Sequence, residues 1–119
     1  MSKKNPVFPD IIDLLNVLVP VNDKNIDAAP HQAFWRGPPP LTRDQFVSMT
    51  TDDWGVPGML VAPGHPDTSN LYLALSGTAP FDGSQLPQMP DTNADPNARN
   101  ATEDELNLVK QWILNNAPA

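Results

Sequence analysis

The chain has 119 residues, including 15 Pro, 6 Gly and no Cys, and its formal net charge is −7. That length builds one small domain spanning residues 1–119, and the missing Cys excludes a disulfide framework, thiolate metal sites and a Cys nucleophile. Seven Lys and Arg are too few and too scattered to neutralise a phosphate backbone or an anionic membrane, so neither nucleic acid nor membrane is expected as a partner.

The first eight residues read as a flexible N-terminus. Lys3 and Lys4 imitate the basic start of an export signal, but Pro6, Pro9, Asp10 and Asp13 interrupt any apolar segment after them. The expected compartment is therefore the cytoplasm, or the periplasm if a leader has been removed. Pro plus Gly amount to about 18% of the chain, below the roughly 25–30% that marks low-complexity sequences. The chain folds, with long loops.

Four helices are predicted. The first runs from Pro9 to Leu18, with Ile11, Leu14, Leu15 and Leu18 on one face and Pro20 after its end. The second, Thr42 to Met49, opens with a capping box of Thr42 and Gln45. The third, Thr68 to Ser76, buries Leu71, Tyr72 and Leu75 and ends at Gly77. The fourth, Glu103 to Asn116, has a second capping box, Thr102 with Glu105, and an apolar face of Leu106, Val109, Trp112 and Ile113. Three Pro/Gly-rich loops join them: Val21 to Leu41, Thr50 to Pro66 and Thr78 to Ala101. Loops this long are functional or wrap around something. The fold class is all-α.

Three groups of residues bring the C-terminal part into focus. They are Val61-Ala62-Pro63-Gly64-His65-Pro66-Asp67-Thr68-Ser69-Asn70-Leu71-Tyr72, then Gln88-Met89-Pro90, then Thr102-Glu103-Asp104-Glu105 leading to Trp112-Ile113 and Ala117. In order and spacing this resembles the cytochrome c family, and most closely its bacterial single-haem domains. The resemblance covers roughly residues 10 to 117 and implies an all-α cytochrome c-like fold. It also implies a haem site of the form C-x-x-C-H after the first helix. Here that stretch is Asp27-Ala28-Ala29-Pro30-His31. Asp27 and Pro30 then replace the attachment cysteines, so thioether bonds cannot form, while His31 and Met89 match the two axial ligands.

Two functions follow from the resemblance. In one, the domain has no cofactor, and Phe34, Trp35, Trp54, Met59, Phe81 and Met89 fill the space a haem would take, because an empty interior is costly. The chain is then a non-enzymatic accessory or protein-interaction subunit of a larger complex, redox complexes included. In the alternative, His31 and Met89 hold haem non-covalently in an electron carrier.

Bland readings stand beside these. His31 also reads as a turn histidine bonded to backbone, and Met89 as a core filler. Asp91, Asn93, Asp95 and Asn97 alternate like the start of a calcium loop, but Pro96 and Thr102 occupy positions where that loop needs Gly and Glu. They read as turn formers, with Asp91, Asn93 and Asp95 the candidate calcium ligands. Trp35, Trp54, Pro38, Pro39 and Pro40 form a candidate docking surface for a protein partner, unless the indoles pack beneath the loops. His65 gives no clear chemistry. Asp52 and Asp53, and the serines at 48, 69, 76 and 84, lie in no catalytic pattern.

Overall fold

The computed structural model of the chain describes residues 5–20, 23–24, 34–36 and 39–119. Among the described residues there are four α-helices: α1 (Phe8–Leu18), α2 (Arg43–Ser48), α3 (Asn70–Ser76) and α4 (Glu103–Leu114). Short 3-10 turns occupy Phe34–Arg36, Asp52–Trp54 and Pro66–Thr68. No strand is found among the described residues, and one isolated antiparallel bridge joins Thr50 to Met59.

The apolar stripe of α1 makes it the first wall of the core. Ile11, Leu14, Leu15 and Leu18 are all buried. Burial of such side chains is worth about 1.5–3 kcal/mol each. The helix packs on α4, whose Val109, Trp112 and Ile113 have no exposed surface. Between the two, Phe46 from α2 completes an aromatic cluster: its ring lies 5.4 Å from Phe8, 6.3 Å from Trp112 and 5.8 Å from Phe34.

Phe8 is the first residue of α1, and its amide donates to Pro118 O at 2.9 Å. Phe8, expected within the flexible N-terminus of residues 1–8, is instead helical, half-buried and packed against the core. The start of α1 is held by Asp10, whose carboxylate accepts from the Val7 amide at 2.9 Å and lies in the positively polarised first turn.

Both predicted capping boxes form. Gln45 N donates to Thr42 Oγ1 while Thr42 N donates to Gln45 Oε1, and Thr102 and Glu105 repeat the exchange. The third helix divides: a 3-10 turn at Pro66–Thr68 precedes α3, which starts at Asn70. Buried Ser69 organises this break. Its hydroxyl accepts from Ala62 N at 2.8 Å and donates to His65 O at 2.8 Å, tying the 62–65 turn to the helix start. α3 ends at Gly77, which has a left-handed φ of 71°.

The C-terminal end of α4 is closed by other segments. Gly64 N donates to Ile113 O at 2.7 Å, and Arg43 donates to the carbonyls of Ala117 and Asn116 at 2.6 and 2.9 Å. A cation at this helix end also opposes its negative pole. Trp112 Nε1 donates to Pro118 O at 2.8 Å, so the last residues fold back over the core.

Candidate functional site

The long loops converge on one apolar crevice. It is lined by Leu15 of α1, Val19 just after that helix, and Leu71, Ala74 and Leu75 of α3. Phe34, Trp35 and Trp54 form one wall; Phe81, Leu86, Met89 and Pro90 form the other. The cavity volume is about 110 Å³, within about 910 Å³ of unfilled space counted out through the open mouth.

Each wall is positioned by long-range hydrogen bonds. Trp35 is buried, and its indole N–H donates to Asn16 Oδ1 on α1 at 2.8 Å. The Arg36 guanidinium lies 5.5 Å from the Trp35 ring centre and donates to the same Asn16 oxygen and to Val19 O. Phe34 bridges the rings: it lies 5.1 Å from Trp35 and 5.0 Å from Trp54. On the opposite side, Met89 N donates to Ala74 O at 2.9 Å and Gln88 Nε2 donates to Leu75 O at 2.9 Å, clamping the 78–101 loop onto α3. Asn100 Nδ2 holds Pro90 O at 2.8 Å.

The crevice is apolar apart from Thr51 and Asn70. Asn70 is buried, and its Nδ2 donates to Thr51 Oγ1 at 2.6 Å and to Pro57 O at 3.3 Å. Thr51 Oγ1 in turn donates to Val56 O at 2.6 Å. This chain of bonds braces the 50–60 loop against α3.

Five of the six side chains expected to fill the interior, Phe34, Trp35, Trp54, Phe81 and Met89, line this crevice. Met59 does not; it is 37% exposed, since its neighbours are tied into the bridge and turn around residue 58. Of the two expected axial ligands, Met89 stands in the wall, whereas His31, with Asp27 and Pro30, lies outside the described residues.

The expected docking surface is smaller than the sequence suggested. Trp35 is only 4% exposed and belongs to the core, with its N–H bonded to Asn16 Oδ1 on the exposed side of α1. Trp54 is half-buried, Pro39 and Pro40 are exposed, and Pro38 lies outside the described residues.

The alternating acidic loop is built as consecutive turns. Asp91 Oδ1 accepts from Asn93 N and Asp95 Oδ1 from Asn97 N, at 2.9 and 2.8 Å. Asp95 is buried, and its second oxygen accepts from Lys24 N at 2.9 Å. These amide bonds, Lys24 first, hold the Asp95 carboxyl below the usual carboxylate range. With both oxygens turned to backbone donors, Asp95 acts as a strut between two loops. No cluster of three or more His, Asp or Glu suited to a metal occurs among the described residues.

Asp52 and Asp53 are exposed at a 3-10 turn, where Asp52 Oδ1 accepts from Gly58 N at 3.3 Å. Ser48, Ser69 and Ser76 each donate to a nearby backbone carbonyl, and Ser84 contacts Asp82. His65 is exposed, and its carbonyl serves the Ser69 turn.

Thr51 and Asn70 were not singled out by the sequence reading. Asn70 follows Ser69 at a helix start, where a polar residue reads as a second cap. Its true partners are 19 and 13 residues away. Comparison of the chain with protein-family models, with curated proteins and with solved structures finds no match.

Proposed function

We propose that the chain is a cytochrome c-like domain without haem, serving as a non-catalytic accessory or protein-interaction subunit of a larger complex. The observation that carries this reading is the aromatic wall. Phe34, Trp35 and Trp54 meet ring to ring at 5.0–5.1 Å inside the fold. On this reading they occupy space that a prosthetic group would otherwise take. The acidic surplus favours a partner with a basic face. The sequence motifs of the C-terminal part support the fold assignment: Ser69 ties the turn before α3, and Met89-Pro90 lies against that helix.

One observation favours a second reading. Met89 lines the apolar crevice, as the distal ligand of a non-covalent haem carrier would. Haemin titration separates the two. The haem-free reading predicts a colourless protein that takes up no stoichiometric haemin. A one-to-one Soret band that is lost in both His31→Ala and Met89→Ala would replace it with the carrier.

A further inference from the structure

We infer that the crevice docks a basic segment of a partner protein, with one aliphatic side chain such as Leu entering the cavity and neighbouring Lys or Arg meeting carboxylates beside its walls. This names the partner of the interaction subunit proposed above and rests on that reading. Size selects the anchor. The cavity of about 110 Å³ is several times the ~30 Å³ that one water takes up in the liquid, so an alkyl side chain of about four carbons has room. The lining is apolar apart from Thr51 and Asn70, which bond to each other and to backbone carbonyls. Among the described residues no buried side-chain oxygen or nitrogen lacks a partner, so an entering alkyl group strands none of them.

Charge selects the flanks. Asp52 and Asp53 immediately precede Trp54 on one wall, and Asp82 immediately follows Phe81 on the other. All three are exposed. Asp52 accepts from the Gly58 amide and Asp82 from the amide and hydroxyl of Ser84, all uncharged donors. Among the described residues no ion pair neutralises any of the three. Arg36, the cation next to Trp35, is committed to Asn16 Oδ1 and Val19 O. Carboxylates beside an apolar cavity fit a basic partner and disfavour a second copy of this chain, whose own net charge is −7.

Amide chemical-shift titration of the full chain tests this with a short synthetic peptide that has one central Leu flanked on both sides by Lys and Arg. The peptide should give saturable shifts at Trp54, Leu75 and Met89. Replacing its Leu by Ser should weaken binding about 10-fold, and replacing its Lys and Arg by Glu should abolish it. Leu86→Trp, which fills the cavity, should abolish binding of the Leu peptide. Asp52→Asn/Asp53→Asn/Asp82→Ser changes only exposed side chains and should weaken binding at least about 3-fold, which keeps the test open if Leu86→Trp does not fold. Absent or unsaturable shifts, equal binding of the Ser or Glu peptide, or undiminished binding in the triple variant would each overturn the docking site. So would a dimer of the chain that Leu86→Trp dissociates, which would give the crevice to a second copy. Haemin uptake would overturn the underlying haem-free reading whatever the peptides do; without it, a failed peptide titration removes the docking site alone.

Discussion

The indole N–H of Trp35 donates to Asn16 Oδ1 at 2.8 Å, and Arg36 Nε reaches the same oxygen at 2.9 Å. One amide on α1 thus fixes both the ring that closes the crevice and the cation that lies over it. This makes Trp35 a structural residue. Trp35→Ala should cost about 3–5 kcal/mol. In a domain whose total stability is about 5–15 kcal/mol, that is a large drop in the denaturation midpoint. Trp35→Phe keeps a ring and leaves Asn16 paired with Arg36, so its cost should be about half as large or less. Urea denaturation of the two variants checks the order.

Ser69 is fully buried and both accepts and donates within the 62–69 turn. Ser69→Ala leaves the Ala62 amide without its acceptor, a loss of about 1–3 kcal/mol. Hydrogen exchange should show the Ala62 amide losing protection first. Equal protection of that amide in the wild type and the variant would count against the role given to Ser69.

Gly77 has φ of 71°, and a Cβ built there would come within 2.8 Å of the Gln88 side chain. Gly77→Ala therefore combines backbone strain with a displaced Gln88, the residue that clamps the 78–101 loop through Leu75 O. The expected destabilisation is about 1–2 kcal/mol. Thermal melts measure it, and a smaller loss in Gly77→Ala/Gln88→Ala than in Gly77→Ala alone would separate the clash from the strain.

Arg99 grips both oxygens of Glu105 at 2.6 and 2.9 Å, and Glu105 also accepts from Thr102 N. The Arg99 guanidinium, chiefly, pushes the Glu105 carboxyl down to about 2. A carboxyl with a lowered folded-state pKa adds stability above its unfolded value, near 4.3, and that stability is lost as pH falls toward about 2. Because the Arg99 side chain is 47% exposed, the effect is on the order of 1 kcal/mol. Wild type should lose this increment between pH 5 and pH 2, whereas Glu105→Gln should not. Stability curves against pH in the two proteins make the comparison.

The helices were legible because their signals are local. Ile11, Leu14, Leu15 and Leu18 repeat within about two turns of helix, and each capping box spans four residues, so both were placed from sequence alone. The site was legible only in part. Phe34, Trp54, Phe81 and Met89 could be chosen as interior residues by type, but the bonds that aim them cross the chain: Trp35 to Asn16 over 19 residues, Asp95 to Lys24 over 71. Whether Trp35 faced solvent or core depended on packing and on its bond to Asn16, 19 residues away, which periodicity does not encode. Met59 shows the converse. It is an apolar residue of the right type, but the Thr50 bridge holds its strand-like stretch at the surface, where the side chain is left 37% exposed.

Scanning calorimetry of the purified chain, produced without added haem, tests the central claim most directly. A scaffold whose interior is filled by Phe34, Trp35 and Trp54 should unfold in one cooperative transition, with the near-ultraviolet dichroism of fixed indoles below it. A broad, non-cooperative melt with expanded dimensions, converted to a sharp transition only when haemin is supplied, would contradict it.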